Sequence, residues 1–216
     1  MRDDTPPLTP ELLLQAYRSG VFPMSESRDD PDVFWVRPRL RGVLPLDGFH
    51  ISRSLAKSMR RGDFVLTMDA AFTDVVKGCA ARDETWINDA IFDLYVALHL
   101  RGDAHSIEVW QADRLVGGVY GVAIGGAFFG ESMFSTVTNA SKVALAYLTD
   151  HLRESGFTLF DTQFLTDHLA SLGALEIPRQ QYENALAHAL AQPIRFQVPQ
   201  VFPSAQDVIQ RSAQTS

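Results

Sequence analysis

The run from Leu115 to Ser135, LVGGVYGVAIGGAFFGESMFS, constrains the fold of this chain more than any other stretch. Apolar residues interleave with small or polar ones as far as Ile124. Gly125 and Gly126 then supply turn chemistry, and Ala127-Phe128-Phe129 resumes an extended run. Glycine reaches φ > 0 at no steric cost, so Gly-Gly between two apolar runs predicts a β-hairpin. At the exit of that hairpin stands Glu131, with Phe128, Phe129, Met133 and Phe134 around it. A buried, isolated carboxylate costs several kcal/mol. Glu131 therefore needs a partner inside the fold or a route to solvent at a strand end.

The elements that follow frame the hairpin as a sheet. Asn139 is placed to cap a helix from Ala140 to Ser155, ended by Gly156, and Phe157 to Gln163 reads as a strand with a polar end, Asp161-Thr162-Gln163. Strand, helix and strand in this order make a right-handed crossover between parallel strands. Functional groups gather at the carboxyl ends of such strands, which brings Glu131, Asp161 and Gln163 to one edge. Upstream, Thr9-Pro10-Glu11 opens a helix closed by Gly20. Short strands are expected at 34–36 and 41–44, and Phe64 to Met68 is another, with Asp69 as cap for a helix from Ala70 to Ala80. Asn88 caps a helix from Asp89 to Arg101, and His105 to Trp110 alternates as a strand that pairs with Leu115 onward. Cys79 falls on an apolar helical face and reads as packed rather than nucleophilic. From Ser204 to Ser216 the chain is polar and rich in small residues, so a mobile tail is expected.

Composition excludes several function classes. The 216 residues carry 19 basic and 26 acidic side chains, a formal charge of −7, which argues against bulk electrostatic capture of nucleic acid. A local basic patch is compatible with that balance. Arg53, Lys57, Arg60 and Arg61 gather on the helix from Ile51 to Arg61, and they read equally as a phosphate-binding patch or as a solvated face. One cysteine fits a reducing compartment, no apolar run reaches the ~18–20 residues that span a bilayer, and MRDDTPP lacks the pattern of a signal peptide. A cytoplasmic protein is expected. No phosphate loop, dinucleotide fingerprint or Cys/His zinc pattern is present, the six histidines do not repeat at ligand spacing, and Gly130-Glu131-Ser132 lacks the second glycine of a nucleophile elbow. Neither a metal nor a cofactor is expected. What remains is a strand edge with two carboxylates and one amide among apolar side chains. It suits attack by an amine on an activated acyl group, which needs acceptors to orient and deprotonate the amine and an apolar pocket for the acyl side chain.

The blocks YRSGVFP (17–23), HISRS (50–54), ETWI (84–87), HSIEVW (105–110), LVGGVYGV (115–122), FFGESMFS (128–135), NASKVAL (139–145) and DTQFLTDHLASLGALEIPR (161–179) resemble the leucyl/phenylalanyl-tRNA protein transferases, in order, from about residue 9 to about residue 200. The resemblance implies an α/β (α+β) architecture, with a small N-terminal domain over residues 1–40 and a GNAT-like acyltransferase domain with a mixed twisted sheet over 41–203. The implied activity moves Leu or Phe, less readily Met, from aminoacyl-tRNA to proteins whose first residue is Arg or Lys, marking them for degradation. Asp161 and Gln163 match the family's relay that takes the proton from the attacking α-amine, and Glu131 matches the acid beside the aminoacyl ester. Val119, Phe128, Met133, Leu148 and Phe160 match the lining of the pocket for the Leu or Phe side chain. Trp86 matches an aromatic near the terminal adenosine, and Arg53, Lys57, Arg60 and Arg61 match a basic cluster at the acceptor stem. Lys142, in the first turn of a helix where the macrodipole disfavours a cation, fits a phosphate near the tRNA 3′ end. Met24 stands where the family often has Trp, and Thr166 where an Asn is sometimes found. Two rival classes remain. An acyl-CoA N-acetyltransferase of the same fold would need a glycine-rich loop where this chain reads Ser135-Thr136-Val137-Thr138-Asn139-Ala140. A non-catalytic tRNA-binding module would not need the acids and amide at the strand edge.

Overall fold

In the computed structural model, residues 8–30, 32–82 and 85–214 are described. A mixed seven-stranded sheet is built from β3 (Leu40–Val43), β4 (Val65–Met68), β5 (Ala104–Gln111), β6 (Arg114–Ile124), β7 (Ala127–Ser135), β8 (Leu159–Gln163) and β9 (Leu175–Pro178). The spatial order is β4-β5-β6-β7-β8-β3-β9. The expected hairpin is β6–β7, turning at Gly125, whose φ of 57° is one that glycine adopts without strain. The expected crossover is β7, then α5 (Ala140–Glu154), then β8, which runs parallel to β7. A two-stranded sheet, β1 (Phe22–Met24) with β2 (Phe34–Val36), stands beside the large one.

Two apolar clusters sandwich the sheet. One gathers buried residues from α1 (Pro10–Arg18), α3 (Phe72–Ala80), α4 (Asp89–Leu100) and α7 (Arg179–Leu190) around Phe129 and Tyr120. The other gathers α2 (Arg53–Arg60), α5, α6 (Asp167–Ala170) and α8 (Ala205–Gln214) around Phe128 and Phe160. Leu13, Tyr17 and Phe22 belong to the first cluster, so α1 and β1 share a core with the sheet. Among the described residues no helix is long and apolar enough to cross a membrane.

Three local expectations are corrected. The tail from Ser204 is helix α8. Ser204 and Asp207 bond each other's backbone N–H in a capping box, Val208 is buried, Arg211 grips Asp150 through both carboxylate oxygens at 2.8 and 2.6 Å, and Ser212 donates to the Phe49 carbonyl at 2.7 Å. Val208, with Ala205 and Ile209 packed beside it, docks the helix, and specific polar bonds do the rest. Removing everything after Pro203 should therefore lower the melting temperature by about 5–10 °C, the shift for a loss of a few kcal/mol in a chain of this size. An unchanged melting curve would show that α8 contributes nothing. Asp69 does not cap α3, which starts at Phe72 without a side-chain cap. Asp69 instead lies at φ = 55° and accepts bonds from Ser106 N–H (2.8 Å) and His105 Nδ1 (2.7 Å). Asn139 precedes α5 at φ = 71°, and its side chain makes no capping bond.

Candidate active site

The site begins with a register change. Gly121 pairs with Gly130 and Tyr120 with Ser132, so Glu131 is the extra residue of a β-bulge. Glycine is required on both sides of it. A Cβ on Gly121 would come within 2.2 Å of the Phe129 carbonyl oxygen, and one on Gly130 within 2.8 Å of the Phe160 ring. The bulge turns Glu131 toward α1 and α4, where Tyr17 donates to Oε1 at 2.7 Å and Tyr95 to Oε2 at 2.8 Å. Gln163 Nε2 adds a bond to Oε1 at 3.2 Å. Burial pushes the Glu131 carboxyl up to about 7, against the pull of the two tyrosine donors; the negative Asp161 adds to the rise and Arg41 opposes it. A carboxylate poised near neutral pH is suited to taking a proton.

The parallel pairing of β7 with β8 ends at Phe129↔Asp161. There a cavity of about 840 Å³ opens, lined by Glu131 to Ser135 on one strand and by Thr162 and Gln163 on the other, with Phe164 just after it. Phe22, Pro23, Met24, Trp86 and Arg82 also line it, as do Ser141, Thr166, His168 and Leu169. Glu131 is the one carboxylate among these residues.

Asp161 sits behind the cavity and is fully buried. Arg41 engages it in a fork, Nε to Oδ1 at 2.9 Å and Nη2 to Oδ2 at 2.7 Å. Tyr182 donates to Oδ2 at 2.6 Å and the Gln163 backbone N–H to Oδ1 at 2.8 Å. A carboxylate offers about four acceptor positions, and all are taken. Arg41 is itself buried at 1% exposure, lies between the faces of Phe22 and Tyr182, and donates to the Gly20 carbonyl. The product of this anchor is the conformation of Gln163. That residue has φ = 57°, and the Phe164 N–H bonds the Thr162 carbonyl at 2.6 Å, a tight γ-turn that is strained for a residue with a side chain. Asp161 holds the turn from behind, and the turn holds the Gln163 amide against Glu131.

The structure brings together Glu131, Gln163, Met133, Trp86 and Met24 at the cavity. It does not bring all of the expected apolar pocket there. Val119, Phe128, Leu148 and Phe160 are 1–3% exposed and belong to the core beneath Met133. Arg53, Lys57, Arg60 and Arg61 are exposed on or just after α2, outside the cavity, with Arg60 bonded to Gln206 and Arg61 paired with Asp63. Lys142 is half-buried on the first turn of α5, where its charge, after burial, helps hold the His168 imidazole below its usual range. Cys79 is packed, and burial pushes its thiol up to about 12. Sequence reasoning missed Tyr17 and Tyr95, which bond Glu131, Arg41 and Tyr182, which bond Asp161, and His168, which lines the cavity. Each looks like a core or surface residue of its own element, and only the tertiary fold joins them.

A family model for leucyl/phenylalanyl-tRNA protein transferase matches residues 43–187, and one for the N-terminal domain of the same transferase matches residues 7–39. The chain belongs to this family. A leucyl/phenylalanyl-tRNA protein transferase of Cereibacter sphaeroides is 63% identical over 98% of this chain and 100% of its own length. One from a Ruegeria species is 61% identical over 97% of this chain and 99% of its own. The crystal structure of FemX, 12% identical, superposes with a TM-score of 0.51 over 78% of this chain and 66% of its own, a likeness of fold. Family membership and that likeness bear out the expected acyltransferase architecture. In the frame of the transferase family, the bulged Glu131 and the turn at Gln163 face each other across the strand opening.

Proposed function

We propose that the chain transfers a leucyl or phenylalanyl group, and less readily methionyl, from charged tRNA to the α-amino group of proteins beginning with Arg or Lys, marking them for degradation. The observation that supports this most is Glu131, the one carboxylate among the described residues of the cavity lining, held half-buried at the strand opening with its pKa near neutrality. An ester carbonyl placed beside it would meet an amine whose proton has somewhere to go. Gln163 orients the amine, and Asp161, which has no free acceptor position, is a positioning residue that acts through Gln163. Met133 is the cavity-side surface for the Leu or Phe side chain, with Val119, Phe128, Leu148 and Phe160 beneath it. The acidic balance of the chain favours a cationic acceptor, while Lys142 and the α2 cations serve the tRNA. The test offers Phe-tRNA with peptides that begin with Arg, Lys, Gly or Glu and follows the extended product by mass. Extension of the Arg and Lys peptides supports the reading; equal extension of all four would reject the acceptor specificity.

Trp86 and Met24 both line the cavity, where a terminal adenine would stack. Stacking on an aromatic ring contributes ~1–3 kcal/mol per base, and methionine covers less of a base face with more rotamer entropy to lose. Trp86→Ala should therefore weaken charged-tRNA binding about 5-fold or more, beyond the effect of Met24→Ala, at one fixed salt concentration. A larger loss from Met24→Ala would move the adenine to β1.

A further inference from the structure

The oxygens of Glu131, Tyr17 and Tyr95 form a closed triangle of contacts, 2.7 Å from Tyr17 to Oε1, 2.8 Å from Tyr95 to Oε2, and 2.6 Å between the two phenol oxygens. Each is a hydrogen-bond distance, so each side of the triangle calls for one hydrogen. The two phenols supply two, and an ionised glutamate supplies none. With Glu131 ionised, both phenols donate to it and the 2.6 Å phenol contact is left between lone pairs. With Glu131 protonated, the third hydrogen closes the ring: Glu131 donates to one tyrosine, that tyrosine to the other, and the second back to Glu131. The change needs only rotation of hydroxyl hydrogens, with no heavy atom moving, which is the economy of a preorganised site.

We propose that this ring takes up the proton released by the acceptor amine and returns it to the departing ribose oxygen, with Glu131 as catalytic residue and Tyr17 and Tyr95 as positioning residues. The inference rests on the aminoacyl transfer proposed above. The neutral amine nitrogen attacks the ester carbonyl carbon and a C–N bond forms. One N–H proton passes to Glu131 and completes the ring. The C–O bond to the ribose then breaks, its electron pair staying on the ribose oxygen, and Glu131 returns the proton to that oxygen. Ester and amine become amide and free hydroxyl, and the ring ends as it began.

The surroundings favour a ring that holds a proton reversibly. Glu131 is faced by Tyr17 from α1, Tyr95 from α4, Gln163 and the negative Asp161 from β8, the cationic Arg41 from β3 and the phenol of Tyr120 from β6. Arg41 and Asp161 neutralise each other, so no net charge pins Glu131 in either state. Burial drives both ring phenols well above their ordinary range, the charge of Glu131 adding to it, so they pass hydrogens without ionising.

The experiment uses the full chain, Phe-tRNA and a peptide beginning with Arg, with Glu131→Gln, Tyr17→Phe and Tyr95→Phe. Glutamine donates one hydrogen and accepts one bond, so it closes the ring permanently. Glu131→Gln should melt no lower than wild type and keep its charged-tRNA affinity, yet slow single-turnover transfer by ~10²-fold or more. The infrared carbonyl band of the protonated carboxyl, identified by its loss in Glu131→Gln, should titrate in the free wild-type enzyme near pH 7. Each phenylalanine variant takes one bond from the ionised form but two from the protonated ring, so its midpoint should fall and its transfer should slow, whereas a rise would mean two independent donors and no ring. A merely structural role for the tyrosines would leave that midpoint in place. Near-normal transfer by Glu131→Gln, or unmoved midpoints in both phenylalanine variants, would overturn the ring. Failure of the wild-type enzyme to extend the peptide would instead overturn the reaction, since the infrared titration reads the ring without any turnover.

Discussion

Asp161→Ala should cost about 3–5 kcal/mol of folding stability, because it strands a buried guanidinium. Arg41 is 1% exposed and its fork closes on Asp161 at 2.9 and 2.7 Å. Without the carboxylate, Arg41 keeps only the Gly20 carbonyl and two aromatic faces, none of which carries a full charge. Arg41→Ala should be similarly harmful, since it leaves Asp161 with a phenol and one backbone N–H. Replacing both, as Arg41→Met with Asp161→Leu, should recover much of the loss, because paired buried charges often give way to apolar residues of like volume without penalty. The recovered double variant should still transfer slowly, by ~10²-fold or more, because nothing then holds the strained turn at Gln163. Denaturant unfolding measures the first effect and single-turnover transfer the second. A fully stable Asp161→Ala protein that is merely inactive would contradict the positioning role and return Asp161 to direct chemistry.

A second large effect concerns pH. Glu131 titrates near 7 in the folded chain and near 4.5 when unfolded. Between those values the folded state binds the extra proton, so linkage makes stability fall as pH rises from about 4.5 to about 7 and then level off. At ~1.4 kcal/mol per pKa unit, the fall is on the order of 2–3 kcal/mol. The sign is opposite to that of a salt-bridged carboxylate, whose stabilisation is lost on acidification. Glu131→Gln should be flat across the same window. The difference between the two urea midpoints, followed from pH 4.5 to pH 8, isolates the contribution of this one group from all other titrations. A flat difference would mean that Glu131 titrates like a solvated glutamate.

The sequence carries the sheet and the acid but not the anchor. Gly125-Gly126, the alternation around it and the helix after it are local signals, and they suffice for β6, β7, α5 and β8. Glu131 stands out because an acid among phenylalanines is costly anywhere in a fold. Its partners lie 114 and 36 positions away, on helices where Tyr17 and Tyr95 satisfy the same apolar periodicity as any core residue. Arg41 reads as a strand cation, and only β3 lying beside β8 buries it. The bulge that aims Glu131 is a register event between two strands, invisible in either one alone. Asp69 and Asn139 were expected as caps on composition, yet both adopt positive φ, where turn geometry overrides capping preference. The helix α8 did have a local signature, Ser204 and Asp207 three apart, which its single buried apolar residue, Val208, obscured.

The central claim is acyl transfer at the strand opening beside Glu131, and one measurement reaches it directly. Phe-tRNA labelled in the amino acid is mixed with excess enzyme and a peptide beginning with Arg, and the fate of the label is followed through a single turnover. The account predicts that the label moves to the peptide N-terminus as the tRNA is freed, in wild type but at least ~10²-fold more slowly in Glu131→Gln. Label released as free phenylalanine, or transferred equally fast by Glu131→Gln, would contradict it.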